Sequence, residues 1–314
     1  MSSRIGITEI TKKIVFILAL TFCFTSFASP PIALAIGIIL ALTLGNPFAK
    51  QSTKVTKFLL QASVVGLGFG MNLGKVIEAG KSGFMITAVS ITFTLLLGYI
   101  IGRWLKINRN SSHLISSGTA ICGGSAIAAV GPVLNADDKE MSVALGTVFV
   151  LNAIALFIFP VIGHLLKLSQ TQFGIWAAIA IHDTSSVVGA AAKYGEKSLE
   201  IATVVKLTRA LWIIPVTVLT AFIFKNKGKK ITIPYFIFLF VLASVLRTYI
   251  HPVAEISGPL VNAAKIGLTI TLFLIGAGLS RETLKTVGVK PLLQGVILWI
   301  IIASASLWAI VKIM

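Results

Sequence analysis

Three ionisable residues lie inside stretches that are otherwise apolar enough to cross a membrane. They are Asp183, within residues 173–192, and Lys206 with Arg209, within residues 201–224. An ionised side chain at bilayer depth costs at least ~2.5–3.5 kcal/mol on insertion scales, so such residues usually mark a pathway or a site. Lys206 and Arg209 are spaced i,i+3 and share a helix face, with Thr203 one turn earlier. Asp183 and Arg209 each sit about ten residues from the polar turn between their segments, roughly 15 Å deep. Two cations against one carboxylate leave surplus positive charge, which suits an anionic substrate. Pairing of Asp183 with Arg209 as a purely structural ion pair is the alternative reading. His182, beside Asp183, is a candidate for proton coupling.

A second cluster lies at 116–129. Ser117, Gly118, Thr119, Cys122, Gly123, Gly124 and Ser125 bring hydroxyls, a thiol and three glycines together at membrane depth. Each glycine costs a helix interior about 1 kcal/mol relative to alanine, so a break is expected here. A broken helix presents free amides and the positive end of its dipole, which favour an anion. Close packing of small residues is the plainer alternative. Thr184 and Ser185 add hydroxyls next to Asp183.

The elements that position these residues follow from composition. The chain has 314 residues, of which 56% are hydrophobic and 12% charged; soluble domains carry about 25% charged residues. Eleven apolar segments are legible: 14–29, 32–44, 58–72, 84–104, 114–134, 143–166, 173–192, 201–224, 231–250, 263–279 and 292–313. The expected fold is therefore an all-α polytopic membrane protein of about 11 transmembrane helices, residues 1–314 forming one integral membrane domain. Residues 1–30 supply the first transmembrane helix or a signal-anchor; Ser26 to Ser29 also imitates a cleavage site.

The net charge of +17 is mostly a topology signal and does not point to nucleic acid. With the N-terminus inside, seventeen basic residues fall on one side and eight on the other. The positive-inside rule then places the N-terminus in the cytoplasm and the C-terminus outside. Residues 57–72 and 265–280 share a pattern that includes Lys57/Lys265, Leu60/Leu268, Gly68/Gly276 and Gly70/Gly278. They are expected to run in opposite directions, as in an inverted repeat. A second division takes 31–168 against 169–314. Cys23 and Cys122 make neither a disulfide framework nor a zinc site. Without a His-Glu-x-x-His pattern or a Gly-x-x-x-x-Gly-Lys-Ser/Thr loop, neither an enzyme nor a cofactor or metal is expected.

The stretches 117–129, 182–191 and 199–215 resemble the YeiH-type membrane proteins, conventionally labelled sulfate exporters, and the resemblance covers essentially the whole chain. It implies kinship with sodium/proton antiporters and bile-acid transporters, hence inverted repeats, broken crossing helices and a panel or dimerisation domain, so a homodimer is among the expected partners. It also implies a bacterial inner-membrane carrier of sulfate, sulfite or sulfonate, coupled to a proton or sodium gradient. A cation/proton antiporter with Asp183 as ion ligand is the alternative.

Overall fold

The computed structural model describes residues 9–25, 27–224, 235–279 and 287–313. Arg4, Ser26, Lys225, Lys227, Lys229, Lys230, Arg281 and Lys285 therefore lie outside the described residues, as do residues 231–234 of the ninth apolar segment. Among the described residues the chain is helical throughout, with no strand. In order the helices are α1 (Glu9–Phe22), α2 (Pro30–Thr43), α3 (Ala49–Gly68), α4 (Leu73–Trp104), α5 (Arg109–Ala120), α6 (Gly124–Leu134), α7 (Asp138–Leu165) and α8 (Gln170–Ala180). They continue with α9 (Thr184–Tyr194), α10 (Glu196–Leu211), α11 (Ile213–Ile223), α12 (Tyr235–Tyr249), α13 (His251–Glu255), α14 (Ser257–Gly278) and α15 (Val289–Ile313). Among the described residues five stretches are long and apolar enough to cross a membrane: 87–104, 138–165, 196–223, 257–278 and 289–312. Large apolar side chains such as Leu96, Val161, Phe222 and Ile300 face outward, as a lipid environment requires.

The segments 114–134 and 173–192, expected as single crossings, are each a helical hairpin. Gly118 near the end of α5 packs on Ile127 of α6. At the open end of this pair, Asn110 Nδ2 donates to Glu140 Oε2 (3.1 Å) at the start of α7. The second pair closes in the same way: Tyr194 Oη donates to Leu168 O (2.6 Å), Lys197 N donates to Gln170 Oε1 (3.0 Å), and the rings of Phe173 and Tyr194 stack at 3.8 Å. An arm of 11 or 12 residues is ~16–18 Å long, about half the ~30 Å hydrocarbon core.

The 28-residue helix α7 sets the relation between the hairpins. It starts beside the open end of the first and finishes beside the open end of the second, ~42 Å away. The hairpins thus enter from opposite ends of the bundle and meet at their tips. Sequence dictates the start of α7: Asp137 Oδ1 accepts from Glu140 N (2.7 Å) and Glu140 Oε2 accepts from Asp137 N (3.0 Å), a capping box. The helix continues through Pro160, whereas the helix after the second hairpin breaks at Trp212, between α10 and α11. Pro215 removes the N–H that Leu211 O would accept and crowds that carbonyl.

Around the hairpins, α2, α3 and α14 form a tightly packed group. Ser63 lies against Gly267, Ala264 against Gly66 and Val261 against Gly70, so the two pattern-sharing helices α3 and α14 run antiparallel and touch. Gly37 of α2 and Gly276 of α14 meet backbone to backbone, where a Cβ on either would collide. The helix α15 clamps the hairpins from the other flank. Trp299 Nε1 donates to Ala180 O (3.1 Å), Trp176 Nε1 donates to Ala303 O (2.9 Å), and Gln294 Nε2 reaches Gly98 O (3.0 Å) and Ser112 Oγ (2.8 Å).

Candidate functional site

The two tips, Ile121–Gly123 and Ile181–Asp183, are in contact. A Cβ placed on Gly123 would stand 3.2 Å from the Asp183 Cβ, and Gly123 has φ +66° with ψ −125°. That backbone region is open only to glycine, and it turns α5 back into α6.

Lys206 and Arg209, both fully buried, lie across the tips on α10. Arg209 Nε donates to Ala120 O (2.7 Å), the last residue of α5. Lys206 Nζ donates to Ile181 O (2.7 Å) and Ala178 O (3.3 Å), at the end of α8. The two cations therefore sit on the C-terminal carbonyls of the two inward arms, where each helix dipole places about half a negative charge. Burial of two like charges i,i+3 is costly on its own; those two carbonyl ends are what make it tolerable. Arg209 Nη1 and Nη2 reach no protein partner.

Asp183 caps α9: its Oδ1 accepts from Ser186 N (2.8 Å) and from Ser185 Oγ. Among the described residues it forms no ion pair with Arg209. The alternative reading, a structural Asp183–Arg209 ion pair, gives way to two cations on carbonyls and one carboxylate on amides. His182 is buried; its N–H donates to Asn152 Oδ1 (2.9 Å), and neither ring nitrogen finds a partner. Ser117 and Thr119 are buried on α5 with hydroxyls that likewise reach no partner, and Gly118 fills the contact between the arms.

The two returning arms, α6 and α9, begin at the wall of a cavity of about 970 Å³. Cys122, Gly124 and Ser125 line it from the first hairpin, and Asp183, Thr184 and Ser185 from the second. The first turn of α6 has no side-chain cap from Gly123. The cavity therefore meets two helix N-termini, several hydroxyls and one carboxylate. His182, Lys206, Arg209, Ser117, Gly118, Gly123 and Thr119 stand behind the tips and do not line it.

The opposite wall comes from α3 and the α2–α3 turn, with Asn46, Ser52, Thr56, Lys57 and Gln61. The sequence does not single these residues out as a site: Lys50, Gln51, Thr53 and Lys54 are polar as well, so no one polar stripe stands out along the first half of α3. Among the described residues no cluster of three or more metal-ligating side chains occurs.

Substitutions at Asp183 separate its cap from its charge. Asp183→Ala is expected to cost about 0.5–2 kcal/mol through loss of the cap, whereas Asp183→Asn retains an acceptor and should stay within about 0.5 kcal/mol of the parent. Unfolding of both variants in detergent reads the difference.

The family described as conserved hypothetical protein 698 matches residues 7–295. UPF0324 membrane proteins are 59% identical in Bacteroides thetaiotaomicron (285 residues; 90% of this chain, 86% of that one) and 56% identical in Porphyromonas gingivalis (288 residues; 90% and 87%). The Bdellovibrio bacteriovorus relative is 54% identical over 305 residues, 95% of this chain and 94% of its own. No solved structure matches. With one family matched along nearly the whole chain and relatives above half identity, this is a multi-pass membrane protein belonging to the conserved hypothetical protein 698, or UPF0324, family.

Proposed function

We propose that the chain is a secondary carrier of a small anion, of the sulfate, sulfite or sulfonate class, working by alternating access and not as an enzyme. The observation that carries this reading is the meeting of two hairpin tips from opposite ends of the bundle, with both helix N-termini on one cavity. Two N-termini bring about one positive charge and the two C-termini behind them about one negative. Lys57, Lys206 and Arg209 outweigh Asp183, so the balance at the tips stays positive.

The cavity is bounded by residues 41–46 and 274–279, at one end of the bundle, and stops at the tips. Transport would follow when the hairpins shift against the α2–α3–α14 group and uncover the same N-termini from the other end. A proton or sodium ion taken at Asp183 would couple the step to a gradient. Treating both hairpins as re-entrant gives nine crossings in place of eleven. Lys139 and Lys167 then exchange sides, and the basic residues still divide seventeen to eight, with the N-terminus inside. The antiparallel, pattern-sharing α3 and α14 fit inverted repeats, and the resemblance to YeiH-type proteins supports export across a bacterial inner membrane.

Uptake of labelled sulfate and sulfite into proteoliposomes, under imposed pH and sodium gradients, tests the reading. Wild-type flux is expected, with Lys57→Gln reducing it about tenfold, equivalent to about 1.4 kcal/mol. Absence of anion flux, together with sodium-driven proton movement that disappears in Asp183→Asn, would identify a cation antiporter instead.

A further inference from the structure

A second cavity, of about 810 Å³, lies on the flank formed by α4, α5 and α11, away from the hairpin tips. Its walls are apolar: Ile91, Leu95 and Leu96 from α4, Trp212, Leu219 and Ile223 from α10–α11. One end is basic, with Arg103 and Arg109. Arg109 is held over the Phe224 ring, its Cζ 4.2 Å from the centroid, and Arg103 Nη1 lies 3.4 Å from Tyr99 Oη. Among the described residues neither arginine has a carboxylate within ion-pair distance. Two guanidinium groups with bidentate potential, lining the same groove and without a carboxylate in ion-pair range among the described residues, suit a phosphate.

The dimensions fix what the rest of the ligand must be. From Arg103 back to Ile91 is twelve residues of helix, ~18 Å, and the facing wall from Phe224 back to Trp212 is equally long. One leaflet of hydrocarbon is about 15 Å deep, half of the ~30 Å core. Trp104, exposed next to Arg103, marks the level at which aromatic side chains meet headgroups. A groove with phosphate-binding groups at headgroup level and an apolar channel one leaflet long has the form of a phospholipid.

We propose that this groove is a binding site for one anionic phospholipid, its phosphate on Arg103 and Arg109 and an acyl chain between α4 and α11. The floor of the groove includes Trp212 and Pro215, where α10 breaks into α11. The same helix carries Lys206 and Arg209, so a lipid seated there steadies the element that holds both hairpin tips. The site does not depend on the transport reading.

The test is native mass spectrometry of the delipidated full chain with phosphatidylglycerol, cardiolipin or phosphatidylcholine added. One anionic lipid per chain is expected to remain bound, at least tenfold more tightly than phosphatidylcholine. The double variant Arg103→Gln/Arg109→Gln should lose that preference. Lys106→Gln, which removes one positive charge at a neighbouring residue outside the groove, should keep it. Leu219→Trp, which fills the channel while keeping both arginines, should weaken binding as well, so the proposal stands on two independent lesions. Glycerol phosphate lacking acyl chains should not compete; competition would identify a free phosphate site and overturn the lipid assignment. Equal retention of phosphatidylcholine, or undiminished anionic lipid on both variants, overturns it too. So does a wild-type dimer that Leu219→Trp dissociates with lipid retention unchanged, which would make the groove a contact between copies.

Discussion

Gly123→Ala is expected to destabilise the protein by at least about 2 kcal/mol and to remove the proposed transport activity. At φ +66° and ψ −125° the residue occupies backbone space in which a side chain costs roughly 1–3 kcal/mol. The new Cβ would also press on the Asp183 Cβ and the Val148 Cγ1, each 3.2 Å away. Neither neighbour has room to yield cheaply, since Val148 is fully buried and Asp183 is committed to capping α9. Relaxation would swing the α6 N-terminus out of line with the α9 N-terminus across the cavity. Gly124→Ala is the control: it is helical, and its Cβ would first meet the Phe149 ring at 3.3 Å. Thermal unfolding in detergent should separate the two, with Gly124→Ala near the parent in stability, and proteoliposome uptake reads the loss in Gly123→Ala. Equivalent behaviour of the two variants would remove the assignment of Gly123 as the pivot of the tip.

Arg209→Met is the second large effect, and it should appear locally before it appears globally. Loss of the guanidinium leaves the buried Ala120 carbonyl without its donor, at a cost of about 1–3 kcal/mol. It also removes a desolvated cation that lies close to Lys206, a relief of the opposite sign. The net loss of global stability is therefore smaller than the loosening of the first hairpin. Cys122 reports on that loosening because it is buried, at 4% exposure, in the tip itself. In a Cys23→Ala background, maleimide should react with Cys122 at least tenfold faster in Arg209→Met than with the parent. An unchanged rate would mean that Arg209 does not hold the tip, and the carbonyl contact would be incidental.

Much of this architecture was legible in the residues. Glycine density marked the break near 121–123, and the intramembrane Asp183, Lys206 and Arg209 marked the layer in which the tips meet. The break at 181–183 has no glycine to announce it. Asp183 serves there as an N-cap, a role that a buried aspartate in an apolar run does not reveal until the next amides are seen to point at it. Nothing local in α3 shows that Lys57 is turned to a cavity, because polar residues run consecutively from Lys50 to Lys54 just before it.

The sequence by itself determined the class, because burying so few charges among so many apolar residues leaves only a membrane as solvent, and it determined which residues are chemically unusual. Tertiary structure alone decided that two apolar stretches of crossing length turn back at their midpoints. It also decided that the cations face C-terminal carbonyls while the carboxylate and hydroxyls face the cavity. Hydropathy and spacing are properties of one segment and read the same for a straight helix and a hairpin. The direction after a break depends on what fills the space beside it, here α7, α10 and α15, whose hydrogen bonds to the hairpins span 25 to 182 residues of chain.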